Sequence, residues 1–222
     1  MNSCIEVLYE DNHLLILNKP AGLLTQPSGT EQDSLEKQAK DWIQKKYQKP
    51  GNVFLEAIHR LDKPVSGIVV FAKTSKALSR LNASIRAKQT KKIYWALIEG
   101  ALPSQEGTLE HYLFHDDYCA RVVSKEDKDA KLCRLHYRVK EKQNSFTLIE
   151  IELETGRYHQ IRSQLSHISC PIVGDKKYKS SYSFKENTIT LHHRQLVIEH
   201  PVLKTELIIE APCLFGLSNN DS

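Results

Sequence analysis

No run in this chain approaches the roughly 20 apolar residues that a membrane-spanning helix requires. The opening MNSCIEVLYEDNH has neither a basic leader nor an apolar segment of the secretory kind. Membrane, secreted-scaffold and disordered classes are thereby excluded as readings, and a cytoplasmic location is expected. Cysteine is scarce and scattered: Cys4, Cys119, Cys133, Cys170 and Cys213 are odd in number and include no CxxC pair, so neither a zinc site nor a redox motif is expected. Reduced thiols are the simplest account. The ten histidines do not offer metal-ligand spacing either. His159 and His167 lie eight apart and His192 and His193 are adjacent, so no two imidazoles share a helical face with a helper carboxylate. Structural or nucleic-acid-facing roles fit them better than a metal. Internal repeats and low-complexity segments are also missing.

What is present is an ordinary globular composition. The 222 residues are 26% charged and 40% hydrophobic, with a mean hydropathy of −0.45. At roughly 150 residues per domain this length predicts one domain, or one with a small appendage. A compact chain of this size buries roughly 70% of its unfolded surface and needs neither metal nor disulfides to fold. Lys and Arg number 31 against 27 Asp and Glu, a net charge of +4. That balance weakly favours an acidic partner such as nucleic acid, and local clusters at Lys45/Lys46/Lys49, Lys88/Lys91/Lys92 and Lys176/Lys177/Lys179 matter more than the sum.

Ile5 to Tyr9 and Leu14 to Leu17 read as short strands around a turn. Ser34 is placed to N-cap a helix carrying Leu35, Ala39, Trp42, Ile43 and Tyr47, which Lys49-Pro-Gly51 ends. Ile68 to Phe71 reads as a buried strand, Ser75 to Lys88 as a second helix, and Ile93 to Ile98 as a strand. Glu106 to Asp129 is polar and turn-rich, an insertion or mobile edge with short strands only. Ser145 to Glu154 alternates, with Ile149, Ile151 and Leu153 on one face and Glu150, Glu152 and Glu154 on the wet one. After Thr155-Gly156-Arg157 a helix is expected with Tyr158, Ile161, Leu165 and Ile168 on one side. Ile189 to Ile198 and Glu206 to Ile209 complete the strands. Many strands and about three helices predict an α+β fold with a mixed, mainly antiparallel sheet flanked by helices and loops. Residues 1–217 are expected to form one catalytic domain, and 218–222 a polar tail.

The densest group of reactive side chains is His59-Arg60-Leu61-Asp62, followed by Lys63-Pro64-Val65-Ser66-Gly67. Pro64 and Gly67 disfavour a helix, and a carboxylate on a constrained loop that feeds a buried strand is held in place as a nucleophile or base. Taken alone, Asp62 capping a turn is the plainer reading. Other groups change the balance. In Thr155-Gly-Arg-Tyr-His-Gln-Ile-Arg162, Arg162 is expected one helical turn beyond Tyr158. It is a candidate partner for Asp62, because a neighbouring cation favours the ionised carboxylate. Lys92 and Tyr94 share a strand face, where Tyr94 reads equally as a core aromatic or a stacking platform.

With these residues in order, the chain resembles the RluA family of RNA pseudouridine synthases. The resemblance runs from Asn18-Lys-Pro-Ala-Gly-Leu-Leu24 through His59-Arg-Leu-Asp62 with Ser66-Gly67 and Lys92-Ile-Tyr94 with Gly100. It continues through Thr155-Gly-Arg157, His159-Gln-Ile-Arg162 and Pro171-Ile-Val-Gly-Asp175 to Leu191-His192 and His200-Pro201. Val65 stands where the family usually has threonine, Gln26 and Gln164 where histidine is frequent, and Ser169-Cys170 where glycine-histidine is common. These departures bear on substrate fit more than on the catalytic groups. The S4 module found ahead of the catalytic domain in some relatives is not expected here.

The resemblance implies an isomerase that flips a uridine of structured tRNA or rRNA into a pocket, breaks N1–C1′, rotates the base and rejoins it through C5. It implies Asp62 as the essential carboxylate, either nucleophile at C1′ or base toward a ribose proton, with Arg162 as its cationic partner. Tyr94 stacks on the flipped base and assists proton handling at C5, and Arg60 fills the vacated space. His59, Lys92, Arg157 and His159 join Arg60 as substrate-binding residues. No cofactor and no metal are expected, the partner is RNA, and a monomer is expected. Two rival readings are a catalytically silent RNA-binding domain, which has no need of Asp62 with Arg162, and an Asp/His hydrolase using Asp62 with His59 or His159. Glycosidase chemistry asks for a second spaced carboxylate, and Glu154, the nearest candidate, alternates with the wet face.

Overall fold

The structure, a computed structural model, describes residues 5–213 and 215–216. Cys4 and the 218–222 tail lie outside the described residues. In chain order the first elements are β1 (Glu6–Glu10), β2 (Leu14–Lys19), α1 (Leu35–Lys46), β3 (Glu56–Ala57), β4 (Ser66–Ala72) and α2 (Ser75–Arg86). Then follow β5 (Lys91–Glu99), β6 (Glu106–His115), β7 (Ala120–Val123), β8 (Lys131–Gln143), β9 (Phe146–Leu153) and α3 (Gln160–His167). A 3₁₀ turn at Lys176–Tyr178, β10 (Leu191–Glu199) and β11 (Glu206–Glu210) complete the list. The fold is α+β, as expected. The chain divides into two compact units, one of residues 1–91 with 193–212 and one of 92–192 with 213–222.

In the first unit the strands run in the order β1-β2-β4-β10, with β11 beside β10 and β3 beside β4. β1 with β2, β2 with β4, and β10 with β11 pair antiparallel. Alternate residues of β2 (Leu14, Ile16) and β4 (Ile68, Val70, Ala72) face one side and bury against Ala77 and Leu81 of α2 and Leu196 and Ile198 of β10. Both faces of β2 and β4 are apolar because Leu15, Leu17, Val69 and Phe71 are also fully buried. Two expected helix starts are seen: the Ser34 hydroxyl accepts from the Lys37 amide at 3.3 Å, and Thr74 accepts from Ala77 at 3.1 Å. Gly67 has φ +112°, and a Cβ there would lie 2.4 Å from the His193 carbonyl oxygen. Only glycine lets β4 begin against β10 so closely.

In the second unit the order is β5-β9-β8-β6-β7, with β5–β9, β9–β8, β8–β6 and β6–β7 antiparallel. Ile149 and Ile151 are fully buried while Glu150 and Glu152 are not, the alternation expected of β9. Two expectations fail here. The segment read as an edge with short strands contains the ten-residue β6, and the thirteen-residue β8 was not expected at all. In β8 only Cys133, Leu135 and Tyr137 are buried. Between them Arg134 pairs with Glu110 of β6, and its Nη1 lies 3.2 Å from Glu154. Cross-strand ion pairs of this kind let a highly charged segment lie in a sheet with one wet face.

Candidate functional site

Asp62 lies, as expected, in a loop between β3 and β4, with its side chain half-buried. The loop is braced on both sides of it by residues at and beyond the end of β2. The Thr25 hydroxyl accepts from the Leu61 amide at 3.1 Å and donates to the Leu61 carbonyl at 2.9 Å. The Lys63 carbonyl accepts from the Gly22 amide at 2.8 Å and from Lys19 Nζ at 3.2 Å. The Val65 amide donates to the Asp62 carbonyl at 3.0 Å, closing a turn over Lys63 and Pro64. The carboxylate thus sits on backbone that is hydrogen-bonded on either flank, which is what precise positioning of a reacting group requires.

Lys19 is a site residue that reading the sequence missed. It shares a strand face with Leu15 and Leu17 and is fully buried. Its three N–H groups go to the carbonyls of Pro20 (3.0 Å), Leu23 (2.7 Å) and Lys63. Burial pushes its pKa down to about 7, and the charge of Asp62 opposes that fall. The alternation of β2, carried one step past Leu17, was the signal that could have found it.

Of the other loop residues, Arg60 is exposed and His59 half-buried. The His59 ring meets that of His193 edge-on at 5.4 Å, and His193 Nδ1 donates to the Ile68 carbonyl at 2.8 Å. Tyr94 is buried in β5. Lys92, two residues earlier on the same face, is half-buried, and desolvation lowers its pKa.

The second cluster surrounds Arg162. The expected helix starts two residues later than Tyr158, at Gln160, so Tyr158 is off the helix and 38% exposed. The reason is local. The Gln160 side chain accepts from the Arg157 amide (3.0 Å) and the Thr155 hydroxyl (2.9 Å), and His159 adopts a left-handed φ of +49°. Arg162 is buried and grips Asp175, which is 1% exposed, through a two-point fork: Nε to Oδ2 at 2.7 Å and Nη2 to Oδ1 at 2.8 Å. Its Nη1 lies 2.9 Å from His159 Nε2, and its guanidinium sits 4.9 Å over the Tyr178 ring.

A guanidinium can only donate, so His159 Nε2 accepts, and the neutral imidazole carries its proton on Nδ1. That proton goes to the Tyr178 oxygen at 2.8 Å, which also accepts the Ala120 amide at 2.9 Å. Burial, then the charge of Arg162, push the His159 pKa down to about 3, and burial raises that of Tyr178. Asp175 was part of a recognised motif but had been given no role. Arg157 lies exposed on the loop before α3.

The His159 shift has a consequence for stability. Unfolded, the imidazole takes up a proton near its ordinary 6.5; folded, it stays neutral down to about 3. As pH falls through this window the unfolded state binds a proton the native state does not, so stability is lost. Thermal unfolding between pH 7 and pH 4.5 should therefore show a smaller decline in His159→Asn, whose short amide tolerates the left-handed backbone. Equal declines in both proteins would show that His159 is not held neutral.

Among the described residues no group of three or more His, Cys, Asp or Glu side chains is arranged to hold a metal ion. No helix among them is long and apolar enough to cross a membrane.

A strand-rich α+β fold with a carboxylate on a braced loop defines a class, and comparison with known proteins gives it a name. Residues 13–167 match the family described as RNA pseudouridylate synthase, and the chain belongs to that family, whose enzymes isomerise uridine to pseudouridine in RNA. It is 35% identical over 215 residues to ribosomal large subunit pseudouridine synthase C of Buchnera aphidicola subsp. Baizongia pistaciae, covering 93% of this chain and 66% of that one. To ribosomal large subunit pseudouridine synthase D of Pseudomonas aeruginosa it is 34% identical, covering 94% of this chain and 68% of that one. The chain thus spans about two thirds of the length of these relatives. The fold is similar to that of human RNA pseudouridylate synthase domain containing 4, with a TM-score of 0.78 at 23% identity over 94% of this chain and 88% of that one.

Proposed function

We propose that this chain, acting as a single catalytic domain over residues 1–217, converts a uridine of large-subunit ribosomal RNA to pseudouridine. In this reading Asp62 is the essential carboxylate. It either attacks C1′ or removes a ribose proton; both routes need it ionised. Tyr94 stacks on the flipped base and assists proton handling at C5, and Arg162 is the cation that favours the carboxylate's charged form. Arg60 takes the space the flipped nucleotide leaves, while His59, Lys92, Arg157 and His159 serve substrate binding. The reaction is an isomerisation with no net redox change and calls for no redox cofactor; in this reading the chain works in the cytoplasm as a monomer, without metal or cofactor.

The observation that carries this reading is the bracing of Leu61 and Lys63 by Thr25, Gly22 and Lys19. It immobilises the backbone on both sides of one carboxylate, the requirement of a reaction in which a single Asp acts. Ribosomal RNA is favoured over transfer RNA because relatives over 30% identical carry ribosomal large subunit names.

Chemical mapping of pseudouridines in total RNA, from cells with and without this protein, tests the function. Loss of one or a few ribosomal positions is expected. Loss confined to transfer RNA would overturn the substrate choice, and no loss at all would overturn the activity. Tyr94→Phe tests the hydroxyl: RNA binding should persist, because stacking is kept, while turnover slows by roughly 10²-fold or more if the hydroxyl moves a proton. Wild-type turnover in that variant would leave Tyr94 a stacking role alone.

A further inference from the structure

The second unit carries a cleft of about 270 Å³ to which the family motifs contribute Gly156 and Arg157 alone. It lies between the β6–β7 hairpin, the start of β8 and the loop that follows β9. Its wall includes Phe114, His115 and Tyr158, and its charged lining is Lys131 and Arg157 against one carboxylate, Asp129.

The aromatic side is a column. His159, fixed by Arg162 and Tyr178, stacks on Tyr158 at 3.8 Å with 17° between the planes. Tyr158 in turn contacts His115 at 4.3 Å and 52°. The innermost ring is buried and the outermost, His115, is exposed. Beside the column, Arg121 sits 5.2 Å over the Phe114 ring, and the Asp116 carboxylate interacts with both Arg121 and His115, which leaves three cations against two carboxylates around the cleft.

A run of ring contacts from buried His159 to exposed His115, beside an excess of cations, matches the chemistry of one nucleotide: a base to stack and a phosphate to pair. Sites that hold single-stranded nucleic acid combine these two elements. The volume lies just below the roughly 300–1,000 Å³ of drug-sized ligand sites, which suits one base and not a pair. A protein partner is disfavoured, because Lys131, Arg157 and Asp129 line this cleft beside the apolar Leu113, Phe114 and Ala120, and the centre of such an interface is depleted in charged residues.

We propose that this cleft is a subsite for an unpaired nucleotide of the substrate RNA, with its base stacked on His115 and its phosphate held by Lys131 and Arg157. The proposal rests on RNA being the substrate, the reading given above. It makes His115 and Lys131 determinants of RNA affinity that the shared family motifs do not contain.

The test measures binding of a large-subunit ribosomal RNA transcript to the whole chain, at several salt concentrations, for wild type, His115→Ala, Lys131→Gln, Asp129→Asn and the control Lys142→Gln. All of these residues are exposed, so folding is checked by thermal unfolding and should be unchanged. His115→Ala should weaken binding by about 5- to 150-fold, the range of one lost base–aromatic stack. Lys131→Gln should weaken it and reduce the slope of log affinity against log salt by about 0.7, one phosphate contact. Asp129→Asn should tighten binding, and Lys142→Gln, on β8 away from the cleft lining, should match wild type. Wild-type affinity in both His115→Ala and Lys131→Gln, or a loss in Lys142→Gln equal to that in Lys131→Gln, overturns the subsite. Wild-type pseudouridine formation is followed in parallel. If wild type modifies the transcript while the cleft variants bind normally, the function stands and the subsite falls. If wild type binds RNA but modifies none, the function falls and the binding comparison still decides the subsite.

Discussion

Asp62→Asn is expected to reduce pseudouridine formation to background while the protein stays folded and bound to RNA. The amide keeps the size of the carboxylate but can neither attack C1′ usefully nor accept a ribose proton. The loss should reach at least the ~10²–10⁴-fold attached to a single general base. Folding should survive because the loop backbone is braced independently of the substitution, by Thr25 to Leu61, Gly22 and Lys19 to Lys63, and Val65 to the Asp62 carbonyl. One secondary effect follows from the electrostatics. The charge of Asp62 supports the protonated form of buried Lys19, whose pKa already lies at about 7. Removing it lowers that pKa further below the ordinary lysine value of 10.5, so over a wider pH window the unfolded state holds a proton the native state lacks, and the variant should go on losing stability to a lower pH than wild type as pH falls. Tritium release from 5-labelled uridine RNA, with binding measured alongside, checks the main outcome. Full turnover in a verified Asp62→Asn protein would sink the proposed mechanism.

Asp175→Ala should produce the largest stability change. Arg162 and Asp175 are both almost fully buried and joined at two points. Deleting the carboxylate leaves a guanidinium in a site where water cannot replace its partner, at a cost of about 3–5 kcal/mol. For a chain of this length that corresponds to a fall in Tm on the order of 10 °C. Replacing the pair together, Arg162→Met with Asp175→Leu, should recover much of the loss, because an apolar pair of similar volume carries no desolvation penalty. The recovered protein should remain inactive, since Arg162 belongs to the proposed catalytic set. A Tm for Asp175→Ala within a degree or two of wild type would show that the pair is not the clamp described.

Much of the fold was legible. β2 and β4 are apolar runs rich in branched residues, and α1 and α2 announce themselves by their spacing, with Ser34 as the first cap. β8 was not legible because a strand with one wet face in a charged sheet buries only every second residue. Cys133, Leu135 and Tyr137 alternate with Arg134, His136 and Arg138 as in β9, but they are the only buried residues of a thirteen-residue strand, so the apolar signal is short and weak. The start of α3 was misplaced for a different reason. Tyr158 falls on the helical period of Ile161 and Leu165, yet the Gln160 side chain captures the preceding amide and delays the helix.

Within the site, sequence alone located Asp62 on a loop before a buried strand, because Pro64 fixes its own φ and both Pro64 and Gly67 disfavour a helix whatever surrounds them. It also placed Lys92 and Tyr94 on one face of a strand, which the period of two guarantees. Only the tertiary structure decided who meets whom. Lys19 reaches the carbonyl of Lys63, 44 residues on, and Arg162 takes Asp175 rather than a near neighbour. His159 is locked into one tautomer between Arg162 and Tyr178. Local conformation follows from steric limits that each residue carries with it. The partners of a buried charge or a ring nitrogen are whichever groups the packed chain brings within about 3 Å, and no spacing along the sequence encodes that distance.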